Sequence, residues 1–132
     1  MKPISSRISR ALPVGARMKC ADNTGATEIE VIAVKGYHGV KRKKPACGVG
    51  SWIIAAVKKG DAKIMHEIVN AVVVRQRKDY RRPNGIRIKF EDNAAILINE
   101  KGEPRGTRIK GPIAKEVVER YSVIGKIATI VV

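Results

Sequence analysis

The sequence predicts a mainly β fold, an antiparallel barrel or compact sandwich, and three observations carry that expectation. Aromatics are few, one Trp, three Tyr and one Phe in 132 residues, so the core must come from Val, Ile and Ala. That bias favours strands over helices. Short apolar segments alternate with Gly, Asn and Asp along most of the chain, and only one stretch has helical spacing. Length and an apolar share of 44% fit a single domain, residues 1–132, with one modest core.

The elements follow in order. Residues 1–13 hold Arg7 and Arg10 among serines, between Pro3 and Pro13, and read as a basic N-terminal arm with little structure of its own. Asp22-Asn23-Thr24-Gly25 is a turn, after which residues 27–35 form a β-branched run. A second run, 48–59, ends at Lys59-Gly60-Asp61. In the third, 68–75, Ala71-Val72-Val73-Val74 is apolar at every position, as a strand buried on both faces would be. Pro83-Asn84-Gly85 is a turn signal, and after it Ile86, Ile88 and Phe90 alternate with Arg87 and Lys89. Period two predicts a strand with one core face and one cationic face. Residues 94–98 and the turn at Asn99-Glu100-Lys101-Gly102 continue the pattern. Past Gly111-Pro112, Ile113, Val117 and Tyr121 recur every four residues, with Glu116 and Arg120 at i, i+4. This predicts a helix of two to three turns. Residues 127–132 have strand propensity but no evident partner.

Charge points to the partner. Lys and Arg number 27 against 12 acids, a net +15, and such an excess repels itself unless something anionic neutralises it. Nucleic acid is the usual neutraliser. Lys41, Arg42, Lys43 and Lys44 form one block. Arg75, Arg77, Lys78, Arg81, Arg82, Arg87 and Lys89 form another, with Asp79 its single acid. Either block is a solvated face or a phosphate-binding one, and Arg-rich loops suit bidentate contacts to phosphate. Tyr37, His38 and Tyr80 lie beside or within the blocks; each is either a platform for an unpaired base or a rim residue packed on the barrel.

Other classes find little support. Cys20 and Cys47 stand far apart, which suits free thiols in a reducing compartment better than a disulfide scaffold. The N-terminus has no apolar signal region, and the longest apolar runs are too short to span a bilayer, so a soluble, cytoplasmic protein without membrane contact is expected. With His38 and His66 the only histidines and no ligand spacing, no metal, cofactor or catalytic residue is assigned. Gly125-Lys126 lacks the first glycine of a P-loop, and Gly48-Val49-Gly50 reads as a bend at a barrel mouth.

Three stretches together carry a family resemblance. Ala71-Val72-Val73-Val74 with Asn84-Gly85, Phe90, Asn93 and Ile96-Leu97 resembles the signature of the universal large-subunit ribosomal protein L-fourteen family, twenty-three in older eukaryotic naming. Ala21 to Ala26 and Gly106 to Pro112 resemble its N- and C-terminal motifs. Ile96 stands where Val is usual. The match runs from about Leu12, and the stretch from Val73 to Lys78 resembles the archaeal and eukaryotic branch. The resemblance implies a five-stranded antiparallel barrel with a projecting hairpin and a short C-terminal helical part. It also implies a structural, non-enzymatic constituent of the large subunit that binds large-subunit rRNA, meets small-subunit rRNA at an intersubunit bridge, and contacts ribosomal proteins L-three and L-twenty-four-e. Docking of the anti-association initiation factor six would fall around Thr107, Arg108 and Lys110. The rivals are a free nucleic-acid-binding module, for which the chain is poor in aromatics, and a phosphate-acting enzyme, for which it lacks a convergent cluster.

Overall fold

The structure, a computed structural model, describes residues 2–132. Its strands are β1 (Leu12–Pro13), β2 (Arg17–Cys20), β3 (Ala26–Val34), β4 (Ala46–Cys47), β5 (Trp52–Gly60), β6 (Ile68–Arg75), β7 (Tyr80–Arg81), β8 (Arg87–Ile88), β9 (Ala94–Ile98), β10 (Pro112–Ile113) and β11 (Ile130–Val131). Two short helices, α1 (Lys115–Arg120) and α2 (Ser122–Ile127), lie between the last two strands.

Strands β2, β3, β5, β6 and β9 close into a five-stranded barrel. Closure removes the free edges that so short a sheet would otherwise expose. Four of its pairings are antiparallel, as expected; the closing pair, β2 with β9, is parallel, with Lys19 opposite Ala94. Register shifts in β3–β5 and at the end of β6–β9 coil the strands enough to close the ring.

The all-apolar run in β6 has the expected reason. Ala71 and Val73 point into the barrel with Ile29, Val31, Ile53, Val57 and Leu97. Val72 and Val74 point outward into a second cluster with Ile96, Ile98, Ile113, Val117 and Ile124. One face of β6 and β9 thus lines the barrel and the other is covered by the C-terminal helices, so both faces need hydrocarbon.

The later half of the chain departs from the pattern its sequence predicts. The strand expected over 86–90 shrinks to β8, two residues long, and Ile86 is exposed. Tyr80–Arg81 and Arg87–Ile88 pair across the turn at Pro83-Asn84-Gly85, where Gly85 takes φ +86° and donates to the Arg82 carbonyl at 2.9 Å. This small hairpin stands outside the barrel sheet. The single expected helix is two helices broken at Tyr121, while Ile113 belongs to β10. The tail finds its partner there: β11 runs parallel to β10, with Ile113 opposite Val131. No helix among the described residues is long and apolar enough to cross a membrane.

Candidate nucleic-acid interface

The N-terminal arm has almost no regular structure, but it is tied down along its length. The Arg7 N–H donates to the Arg81 carbonyl at 2.9 Å, which fixes the arm to the hairpin. Ser9 Oγ donates to the Asp79 carbonyl at 2.9 Å and accepts from Gln76 Nε2 at 3.0 Å. Just beyond, β1 pairs with β4, so Leu12 meets Cys47 just after the loop that carries Lys41 to Lys44. The arm thus has little regular structure of its own, as the sequence predicts, and is held by contacts with distant segments that the sequence does not reveal.

The arm therefore joins the two basic blocks. Arg7 shares a concave surface with Lys78, Arg81 and Arg87 of the hairpin, and Arg10 shares another with Lys43 of the loop at 35–45. Arg10 lies three residue steps beyond Arg7, at most about 11 Å when extended. Blocks more than thirty residues apart in sequence become neighbouring parts of one cationic strip.

Within the strip the cations differ sharply. Lys41, Arg42, Lys43 and Lys44 are all exposed, and none has an acidic partner among the described residues. Arg42 sits at φ +70°, uncommon outside glycine, where the loop turns through a Lys43 N–H to Val40 carbonyl bond of 3.1 Å. Arg7, Arg10, Arg77, Arg81 and Lys89 are likewise exposed. Lys78 and Arg87 are exposed but flank Asp79, at 3.9 and 2.9 Å. The hydrogen bond from Arg87 holds the Asp79 carboxyl below its usual range.

Arg75 and Arg82 point the other way. Arg75 is 8% exposed and forms a two-pronged pair with Asp92, Nε to Oδ1 at 2.8 Å and Nη2 to Oδ2 at 3.2 Å. Its remaining Nη1 donates to the carbonyls of Lys110 and Pro112, so it pins β10 to the barrel. Arg82 meets Glu116, which is 1% exposed, at 2.8 Å, and also donates to the Val132 carbonyl at 2.6 Å. Both guanidinium groups are spent inside the chain.

Glu116 is the hub of that arrangement. It accepts from Arg82, from the Tyr80 hydroxyl at 2.8 Å and from Ser6 Oγ at 2.8 Å, joining arm, hairpin and helix. Burial by itself would raise this carboxyl; the hydrogen bonds from Arg82 and Tyr80 outweigh it and hold the group below its ordinary value. Burial, then the bond to Glu116 and its charge, pushes the Tyr80 hydroxyl up. Tyr80 is thereby a buried packing residue and no platform for a base. The expected Glu116–Arg120 pair does not form; the i, i+4 pair on α1 is Lys115–Glu119, at 3.9 Å and exposed. Glu116 shares its helix with Val117 of the outer core, and its place next to that apolar position was the available signal for an inward carboxylate.

The two terminal motifs form a single unit. Asp22, 4% exposed, accepts from the Leu97 N–H at 2.8 Å and from the Thr24 hydroxyl at 2.6 Å. Asn23 Oδ1 accepts from the Thr107 and Arg108 N–H groups at 3.0 and 3.3 Å, and Asn23 Nδ2 donates to Thr107 Oγ1 at 2.9 Å. A Cβ on Gly106 would lie 2.8 Å from Asn23 Oδ1, so only glycine fits under the clamp. The clamp presents the side chains of Arg108 and Lys110 to solvent. Elsewhere the acids are used differently: Glu28 and Glu30 pair with Arg17, Lys58 and Lys59 across β2, β3 and β5, so each cation of that barrel face has a carboxylate partner.

No group of three or more His, Cys, Asp or Glu among the described residues is placed to hold a metal. Both thiols are raised to about 12, Cys20 by burial, then by the charge of Asp22, and Cys47 by burial, so neither is a nucleophile near neutrality.

Comparison with known proteins decides the family. The model for ribosomal protein L14p/L23e matches residues 11–132. The chain belongs to the ribosomal protein L14p/L23e family. It is 53% identical, over the full length of both chains, to large ribosomal subunit protein uL14 of Methanocorpusculum labreanum. It is 50% identical to the proteins of the same name from Methanoregula boonei, over the full length of both, and Methanococcus maripaludis, over 99% of each. These archaeal relatives agree with the branch that the 73–78 stretch resembles. L14p/L23e proteins are ribosomal structural proteins, a family not known for enzymes. The chain is accordingly a ribosomal protein, and its place is the cytoplasmic ribosome.

Proposed function

We propose that the chain, as a structural constituent of the large subunit, binds large-subunit rRNA through the strip made by the arm, the 35–45 loop and the outer side of the hairpin. The observation that carries this is the unequal partnering of charge. Lys41, Arg42, Lys43, Lys44, Arg7, Arg10, Arg77, Arg81 and Lys89 are exposed without a carboxylate, whereas the β2–β3–β5 face is ion-paired. Unpaired exposed cations displace counterions when they meet phosphates, and a rigid barrel lets RNA helices pack against it. Arg75 and Arg82 support the strip from beneath by fixing β10 and the hairpin.

Thr107, Arg108 and Lys110 form a second surface, which we assign to the subunit joint: small-subunit rRNA at a bridge, or the anti-association initiation factor six. Its support is the Asn23 clamp, which holds this loop in one shape while leaving its cations outside. Contacts with ribosomal proteins L-three and L-twenty-four-e belong to the same reading and rest on family membership.

Sedimentation of the tagged chain in cells tests the proposal. The natural chain is expected in the large-subunit and whole-ribosome fractions. Replacing Arg7, Arg10, Lys41, Arg42, Lys43 and Lys44 by Ala should move most of it to the top of the gradient. Unchanged incorporation would remove the strip from the RNA interface.

A further inference from the structure

Between the arm, the 35–45 loop and the start of β5 lies an open cleft of about 510 Å³, within the size range of small-ligand sites. It is lined by Arg10, Lys35, Lys43 and Arg120, and among the described residues no Asp or Glu lines it. Its floor is aromatic. The Lys35 ammonium lies 3.9 Å from the centre of the Trp52 ring, and Tyr37 stands half-buried at the wall.

The parts are held in place. The Lys35 N–H donates to the Trp52 carbonyl at 2.9 Å, and Gly36, at φ +82°, turns the chain so that the Tyr37 N–H reaches the Val34 carbonyl. The Tyr37 ring packs directly over Gly39, leaving no room there for a side chain. Arg120 donates Nε to the Lys2 carbonyl at 2.8 Å and Nη1 to the Gly50 carbonyl at 3.1 Å. Its guanidinium also hydrogen-bonds the Tyr121 side chain. All of these partners are uncharged at neutral pH, so the positive charge of Arg120 is not neutralised.

We propose that this cleft receives a single unpaired nucleotide of RNA. Arg10, Lys43 and Arg120 take the phosphate, and the base lies against the Tyr37 ring. A duplex is too wide to enter, whereas one splayed-out base brings both the anion and the flat apolar face that these walls accept. This rests on the RNA-binding reading and deepens it: the strip as a whole neutralises phosphates, and the cleft alone separates unpaired from paired RNA. Lys35 and Arg120 enter the interface here, although each stands outside the two basic blocks.

Trp52 is the chain's only tryptophan, so its emission reports on the cleft. The intact chain is titrated with a ten-nucleotide single-stranded RNA and with a duplex of equal length. Saturable change of Trp52 emission is expected with the single strand and not with the duplex. Tyr37→Ala should weaken single-strand binding about tenfold and leave duplex binding unchanged, and Tyr37→Phe should restore it. Equal emission changes with both RNAs, none with either, or equal binding losses in Tyr37→Ala would overturn the cleft proposal. Retained salt-dependent duplex binding in that event would leave the strip standing; loss of binding to both RNAs by the natural chain would remove strip and cleft together.

Discussion

The 35–45 loop and the 75–89 segment are the two most basic stretches of the chain, and folding treats them in opposite ways. Every cation from Lys41 to Lys44 faces solvent without a carboxylate. The later stretch is divided: Arg77, Arg81 and Lys89 face out, while Arg75 and Arg82 turn inward to Asp92 and Glu116. Charge density along a sequence thus locates a surface, but carboxylates brought in by the fold decide which of its cations remain available. An inward arginine is a tie between elements, and an outward one keeps its charge available to an anionic partner.

The comparison breaks most visibly at Glu116. Glu116→Ala leaves the buried Tyr80 hydroxyl without its acceptor and Arg82 without its carboxylate, though the Val132 carbonyl still accepts from it, and should cost about 3–5 kcal/mol in urea unfolding. Its contribution has a definite pH sign. The carboxyl is held below its ordinary value in the folded chain, so its stabilisation is complete above the ordinary carboxylate range. It is lost as pH falls through that range toward the lower folded value, and the variant should show a flatter acid limb than the natural chain.

A smaller loss is expected at Asp22, which lies outside both basic stretches. Asp22→Ala deprives the Leu97 N–H and the Thr24 hydroxyl of an acceptor, and should lower stability by about 2–3 kcal/mol in the same assay. Loss of the turn should also loosen Asn23, so hydrogen exchange at the Thr107 and Arg108 amides should rise.

Replacing Lys41, Arg42, Lys43 and Lys44 together by Ala should change stability by less than about 0.5 kcal/mol, since none makes a folded-state ion pair. A large loss would mean that the loop is part of the fold. Smallest in its effect on folding, Arg108→Glu should leave stability and incorporation intact and weaken subunit joining or factor docking. Failure to enter the large subunit would make Arg108 an RNA anchor instead.

How much of this could be read in advance depends on the range of the interactions. Ile68–Arg75 and Ala94–Ile98 have the bounds that their apolar runs predict, because burial on both faces leaves its mark at every position. The turns at Pro83-Asn84-Gly85 and Asn99 to Gly102 were legible from backbone chemistry alone. The pairing of β11 with β10 was not, since two residues in parallel register leave no pattern. Nor was the docking of the arm, which hangs on Ser6 reaching Glu116 and Ser9 reaching Asp79. The outward block at 41–44 was identifiable because no acid lies near it in sequence. Arg75 and Arg82 were not separable from their neighbours, because their partners lie 17 and 34 residues further on.

The salt dependence of rRNA binding tests the division between outward and inward cations most directly. A plot of log affinity against log salt for large-subunit rRNA should flatten by about three units when Lys41, Arg42, Lys43 and Lys44 are replaced by Ala, four phosphate contacts having been lost. An unchanged slope in the folded variant would show that these unpaired cations do not meet phosphate, and would contradict the account.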